Sequence, residues 1–372
     1  MYQSVMNKAK ELAVNFEISG SVTDIELCSA GHINNSFFVT TTDEKGEKRV
    51  YTIQRINKSV FKRPDLVMEN IVNVTEFLRK KIEAEGGNPD RETLRMLRTK
   101  TDGKPYYIDS EGEYWRMYPY IGDAITYNII ESPEQFKTAG YAFGKFQRQL
   151  SDFPASTLYE TIPNFHNTVS RYADFLRAVE EDKAGRAASV KEEIKFITDR
   201  AEKYSFITDR IADGRIPLRV THNDTKLNNV LIDTNTKKAI CVVDLDTIMP
   251  GSSLYDFGDS IRFGASSALE DEPDVSKVYL RLDLFEAYLE GFIDGVGAGA
   301  LTEEEIRDLP MGAYMMTIET GMRFLADHLN GDTYFAIHRE NHNLDRARTQ
   351  LKLVYDMEQK MDKLNEIIEK HL

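Results

Sequence analysis

Arg219-Val220-Thr221-His222-Asn223-Asp224-Thr225-Lys226-Leu227-Asn228-Asn229-Val230-Leu231-Ile232-Asp233 is an apolar lead-in, a polar turn and a second apolar run. A further apolar run, Ala239-Ile240-Cys241-Val242-Val243, ends in Asp244-Leu245-Asp246. Short apolar runs bounded by turn residues read as strands. The layout therefore sets a carboxylate (Asp224), an amide (Asn229) and another carboxylate (Asp244) at the ends of neighbouring short strands. Taken singly, Asp224 and Asn229 are ordinary turn formers. Their joint occurrence with Asp244 at a strand end points to a site, because hard Mg²⁺ prefers carboxylate and amide oxygens. Asp246 follows two positions after Asp244 and would point the same way if the extended form continued, as a second ligand or a pocket residue.

Phosphoryl transfer uses this set: an Asp to accept a hydroxyl proton, and an Asn and a further Asp to hold Mg²⁺. In the protein-kinase template the Asp precedes its Asn by five positions, the spacing between Asp224 and Asn229 here. The pattern His-x-Asp-x-x-x-x-Asn, followed by a strand ending in Asp-x-Asp, resembles the aminoglycoside-phosphotransferase/choline-kinase branch of the kinase-like folds. Within that branch the longer words resemble the N-acetylhexosamine 1-kinases. These are Thr221 to Asn229, Asp244-Leu245-Asp246-Thr247-Ile248-Met249-Pro250-Gly251, and Asp256-Phe257-Gly258-Asp259-Ser260 through Glu272. Gly31-His32-Ile33-Asn34 and Gly321-Met322-Arg323-Phe324-Leu325-Ala326-Asp327 extend the resemblance over nearly the whole chain. Asn223 stands where glycine is frequent in the branch.

The resemblance implies an α+β, bilobal protein-kinase-like fold, with a small antiparallel-sheet N-terminal lobe and a larger, mainly helical C-terminal lobe. Residues 1–117 would form the nucleotide-binding lobe and 118–121 the hinge. Residues 122–372 would form the helical lobe with the catalytic loop and a sugar pocket. ATP and Mg²⁺ are the implied cofactors, and an N-acetylhexosamine the implied acceptor at its anomeric hydroxyl. Asp224 is then the base and a sugar contact, and Asn229 and Asp244 hold the metal. Gly31, Asn34, Gln54, Arg55, Pro119, Tyr120 and Ile121 face the nucleotide; His32, Asp246, Arg323 and Tyr334 face the sugar. His222 orients the loop, and Asp256 supports it by bonding the loop's backbone amides.

By itself the stretch around Gly31 reads as a common hairpin, since one glycine is a weak sign of a phosphate loop. The strand Arg49 to Ile56 carries Gln54-Arg55 where the template has its phosphate-pairing lysine. The lysine–glutamate pair therefore does not carry over to Glu69. Arg55 reads equally as a phosphate contact and as an exposed strand residue. Tyr114-Trp115-Arg116-Met117-Tyr118-Pro119-Tyr120-Ile121 reads as an aromatic core strand that the resemblance makes the adenine-binding hinge. Pro119 suits a position where one donor is dispensable.

A chain of 372 residues spans about two domains. With 47 basic against 61 acidic side chains, its net charge of −14 argues against a nucleic-acid footprint. The only two cysteines, Cys28 and Cys241, have neither disulfide nor zinc spacing and read as core residues. No apolar run approaches the ~18 residues of a membrane helix, and the N-terminus lacks a signal-peptide pattern. The expectation is a cytoplasmic enzyme that binds a sugar and a nucleotide but neither nucleic acid nor membrane. A monomer is compatible with the sequence.

Helical periodicity predicts helices over 2–17, 64–86, 165–180, 189–212 and 344–370. Ser132-Pro133-Glu134-Gln135 and Thr302-Glu303-Glu304-Glu305 open two more with capping boxes. Strands are expected at 92–99, 105–109 and 113–121. Glu319 and Arg323 are i, i+4 neighbours on one helix face. His166 reads as structural. Two other functions fit parts of the pattern. One is a kinase for another small hydroxyl substrate, such as an aminoglycoside or amino alcohol; the other is a metal hydrolase using His222 with Asp224, Asp244 and Asp246. A two-metal hydrolase generally gathers more His and carboxylate ligands than this. A non-catalytic nucleotide-binding module is a further alternative, raised by the missing lysine and opposed by the joint retention of Asp224, Asn229 and Asp244.

Overall fold

A computed structural model describes residues 2–28 and 33–372, which fall into two compact units. The first comprises residues 1–125 and 231–248, the second 126–230 and 249–372.

The first unit opens with α1 (Tyr2–Ala13), then β1 (Ser21–Leu27), β2 (Asn35–Thr42) and β3 (Lys48–Arg55). After α2 (Pro64–Ala84) and the single turn α3 (Pro89–Glu92) come β4 (Tyr107–Ile108), β5 (Tyr114–Pro119) and β6 (Ala124–Ile125). Five strands pair antiparallel in the order β1-β2-β3-β5-β4. Alternate side chains of a strand face one side. Thus Phe37 and Val39, Tyr51 and Ile53, and Trp115 and Met117 line one face, covered by Ala9 and Ala13 of α1 and by Phe16. The strand expected at 92–99 does not form. Asn88 caps a helical turn with Pro89 at its first position, and the chain then runs extended, touching the sheet where the Leu97 N–H donates to the Met117 carbonyl.

The second unit begins with α4 (Pro133–Gln149), α5 (Thr168–Glu181), α6 (Lys191–Thr198) and α7 (Phe206–Ala212), and reaches β7 (Arg219–Thr221). At the first of these, Ser132 accepts the Gln135 N–H as expected, but the Gln135 side chain reaches back to Glu131. The single helix expected over 189–212 is broken. The Tyr204 ring is buried and its hydroxyl donates to the Ile197 carbonyl at 2.6 Å, while Arg200 Nη1 donates to the Phe196 carbonyl at 2.8 Å. Side chains thus take the last carbonyls of α6, and a 3₁₀ turn at Ala201–Lys203 leads into α7.

With β8 (Val230–Asp233) and β9 (Ala239–Val242) the chain returns to the first unit, where they extend from β6 in the order β6-β8-β9. It re-enters the second unit through β10 (Met249–Gly251), paired antiparallel with β7, and continues as α8 (Ser253–Gly264), α9 (Leu282–Val296), α10 (Glu303–Leu329) and α11 (His342–Glu369). The Thr302–Glu305 capping box is present in full. Helices α4 and α9 approach closely because each has a glycine stripe, Gly140/Gly144 against Gly291/Gly295. A Cβ on Gly291 would overlap the Lys137 carbonyl, and one on Gly144 the Phe292 carbonyl. Among the described residues no helix is long and apolar enough to cross a membrane.

Candidate active site

The sequence-predicted residues fall in both units. In the second, β7 delivers the chain into a turn held from below by α8. Asp256, in the first turn of α8 and fully buried, accepts the N–H of His222 at 3.0 Å and of Asn223 at 2.8 Å. Gln147 of α4 adds a third donor at 2.7 Å. Burial pushes the Asp256 carboxyl above its ordinary range, against the pull of His222 and of these donors. One helical turn on, Asp259 accepts the Thr225 N–H at 3.0 Å. Burial raises Asp259 too, but Arg262, bonded at 2.8 Å, and the charge of Lys226 more than offset it and hold it low.

Asn223 has φ +66°, a left-handed conformation that glycine and asparagine adopt most readily. This explains why glycine is frequent at that position in the branch, and how Asn223 replaces it. The kink aims the next residue: the Asp224 N–H donates to His222 Nδ1 at 3.2 Å. His222 itself is buried, with the edges of Phe143 and Phe146 against its ring. The Asn229 amide nitrogen donates to the Asp224 carbonyl at 2.8 Å and approaches Asp224 Oδ2 at 3.4 Å. With its nitrogen so committed, Asn229 presents its oxygen, the donor type Mg²⁺ takes.

Lys226 was not singled out by the sequence, yet its Nζ lies 2.8 Å from Asp224 Oδ1. Burial works against the ammonium, but Asp224 outweighs it and keeps Lys226 charged. The Asp-x-Lys spacing was the available signal.

Another cluster of the second unit joins α5, α10 and the segment after α10. Glu319, buried, takes hydrogen bonds from His166 Nδ1 (2.9 Å) and Thr168 (2.8 Å), so it is not the helix-surface partner of Arg323 that i, i+4 spacing suggested. Burial alone would raise Glu319; His166 and Arg323 bring it below its usual range. The other His166 nitrogen meets the Asn223 carbonyl at 3.2 Å, tying this cluster to the turn. Arg323 lies 5.5 Å over Phe165 and 5.6 Å over Phe335. Asp327 accepts the N–H groups of Thr333, Tyr334 and Phe335, which sets the loop on which Tyr334 stands, 66% exposed. Asp327 too was missed, because its partners lie in a loop without periodicity.

In the first unit, β9 ends at Val242; Asp244, two residues on, has φ 61° and ψ 56°, and Leu245–Thr247 form a 3₁₀ turn. The extended form does not continue, so strand alternation does not relate Asp246 to Asp244. Asp246 is instead buried, one oxygen paired with Arg116 and the other accepting Asn34 Nδ2 at 2.5 Å. Asn34 Oδ1 accepts the Asn57 N–H at 2.9 Å. Gln54 lies between Ser36 and Arg116, while Arg55 binds Asn35 at 2.7 Å. Glu69 on α2 is exposed; its neighbour Asn70 takes the buried position and donates to the Ile248 carbonyl at 3.0 Å. Pro119 and Ile121 line a cavity of about 190 Å³ with Asp90, Thr93 and Arg95. The Tyr120 N–H is spent on the Val50 carbonyl, and its ring packs on Phe38. Gly31 and His32 lie outside the described residues. Among the described residues no three His, Cys, Asp or Glu side chains gather to hold a metal ion; Mg²⁺ in phosphoryl-transfer sites usually takes one or two carboxylates plus substrate phosphates.

Residues 24–292 match the phosphotransferase enzyme family. Among solved structures, an aminoglycoside phosphotransferase from Alicyclobacillus acidocaldarius matches with a TM-score of 0.61 at 14% identity, covering 96% of this chain and 95% of that one. Amicoumacin kinase hAmiN, in complex with AMP-PNP, Ca²⁺ and Ami, matches at 0.58 and 13%, covering 96% of each chain. Wild-type aminoglycoside 2′-phosphotransferase-IIIa, in its GDP complex, matches at 0.55 and 12%, covering 100% of this chain and 99% of that one. At these identities the likeness is one of fold: bilobal and protein-kinase-like, with a small antiparallel-sheet lobe and a larger helical one.

Proposed function

Because this chain belongs to the phosphotransferase enzyme family, we propose that it is an ATP-dependent kinase that phosphorylates the anomeric hydroxyl of N-acetylhexosamines, GlcNAc and GalNAc, to the sugar 1-phosphate. The observation that carries the reading is the turn at Asp224, held by Asp256 through the N–H groups of His222 and Asn223 and flanked by Lys226 and Asn229. A carboxylate so positioned takes the proton of the sugar hydroxyl while that oxygen bonds to the γ-phosphorus and the bond to the β-phosphate oxygen breaks. Lys226 supplies a fixed cation beside the base. Asn229 and Asp244 would hold Mg²⁺, which when bound spreads the negative charge of the transferring group.

Asn34, Gln54, Arg55 and the Pro119–Ile121 stretch, with Gly31, are assigned to the nucleotide; His32, Arg323 and Tyr334 to the hexose. An uncharged acceptor is favoured over a polycationic aminoglycoside by the cations around Phe165. Burial and the nearby charge of Arg323 both depress the Arg171 guanidinium, so that region already carries like-charge repulsion. A panel of GlcNAc, GalNAc, choline and kanamycin with ATP and Mg²⁺, read by ³¹P NMR, tests the reading. The expected signal is a phosphate coupled to the anomeric proton of the hexosamines. Transfer to choline or kanamycin alone, or phosphate release without transfer, overturns it.

A further inference from the structure

The template's phosphate-pairing lysine on the third strand is replaced here by Gln54, yet a cation stands beside that position. In the β3–β5 register Gln54 lies directly opposite Arg116, and opposed side chains are about 5 Å apart. Arg116 is 3% exposed. Its Nε donates to Gln54 Oε1 at 2.8 Å, and Gln54 Nε2 passes the chain on to Ser36 Oγ at 2.9 Å. Nη1 pairs with Asp246, whose second oxygen holds Asn34. One polar chain, Ser36–Gln54–Arg116–Asp246–Asn34, thus links β2, β3, β5 and the turn after β9 to the residue that precedes β2.

A buried guanidinium is costly unless paired. Burial lowers the Arg116 pKa, but the pairing with Asp246 outweighs it and keeps the guanidinium charged. A guanidinium has a third nitrogen, Nη2, and its planar fork serves a carboxylate and a phosphate together as an ammonium cannot.

We propose that Arg116 supplies the phosphate-pairing cation of this enzyme, displaced by one strand from its place in the template, and that Asp246 positions Arg116 and Asn34 rather than ligating metal. The proposal rests on the reading of the chain as an ATP-dependent kinase. It accounts for three features together: the glutamine at 54, the burial of an arginine opposite it, and the engagement of both Asp246 oxygens within the protein.

Nucleotide binding without sugar separates the two ideas. If the wild-type chain binds no ATP by calorimetry, the kinase reading itself fails. If it does, Arg116→Met is expected to weaken ATP and ADP about 10- to 100-fold, the range for hydrogen bonds to charged groups, and adenosine less than about 3-fold. Adding Gln54→Lys to Arg116→Met should restore at least a tenth of the wild-type ATP affinity by returning the charge to β3. Asp246→Asn should weaken ATP while shifting the half-saturating Mg²⁺ concentration by less than about 3-fold. Equal loss of adenosine and ATP, unchanged ATP affinity, or no rescue in a double variant that melts like the wild type would overturn the role of Arg116. A tenfold rise in the Mg²⁺ requirement of Asp246→Asn would overturn that of Asp246. Should Arg116→Met not fold, Arg116→Lys carries the test: it should bind ATP more weakly than the wild type and adenosine as well, and equal binding of both overturns the proposal.

Discussion

At the scale of single residues, the turn at Asp224 shows how the proposed base is aimed. Its direction comes from the left-handed Asn223 and from Asp256 below, while its carboxylate meets Lys226 Nζ at 2.8 Å and Asn229 Nδ2 at 3.4 Å. Replacing Asp224 by Asn leaves those backbone bonds intact while removing the proton acceptor. The expected outcome is a fall in kcat of about 10²- to 10⁴-fold with ATP affinity and melting temperature nearly unchanged, measured by a coupled ADP assay beside calorimetry. A kcat within threefold of the wild type would remove Asp224 from the chemistry. The motif made Asp224, Asn229 and Asp244 visible because their spacing is local. Lys226, two positions from Asp224, was equally close in sequence, but only the 2.8 Å ion pair distinguishes it from a solvated surface lysine.

Among the elements, the β4–β5 hairpin illustrates a turn whose stability depends on one carboxylate. The two strands were legible, expected at 105–109 and 113–121; the keystone between them, Asp109, was not. Its Oδ1 accepts the Glu111 and Glu113 N–H groups, and Oδ2 accepts the Trp115 indole N–H and pairs with Lys8 at 2.9 Å. Burial pushes Asp109 up, but Lys8, Trp115 and the two amides outweigh it and hold the carboxyl at about 2, below the ordinary 3.8. As pH falls the unfolded chain therefore takes up this proton first. The contribution, about 2 kcal/mol, is full above about pH 4 and lost on the way to pH 2. Asp109→Asn should lower the urea midpoint at pH 7 and flatten the acid limb between pH 4 and 2. An unaltered acid limb would mean that other groups govern it.

At the level of the whole molecule, the first unit is assembled from both ends of a long excursion, since β8 and β9 return to it after the chain has built half of the helical unit. A ligand that binds only the folded chain stabilises it by mass action, about 2.7 kcal/mol at a hundredfold excess over Kd. Mg²⁺ with a non-hydrolysable ATP analogue should raise the melting temperature, and EDTA should remove most of that gain; an unmoved Tm with either would count against nucleotide binding. The sequence by itself determined the family words around His222 and Asn229, the strand that leads to Asp244, the N-cap at Ser132, the capping box at Thr302, and the fold class. Each is written in spacings of two to five residues, where strand alternation, helical pitch and turn chemistry act. Only the tertiary structure decided that Arg116 faces Asp246, that Glu319 bonds His166 rather than Arg323, that the helix over 189–212 breaks after Thr198, and that Asp246 turns away from strand alternation. These are contacts across many residues, or local forms overridden by burial, and periodicity carries no record of which distant side chain will satisfy a buried charge.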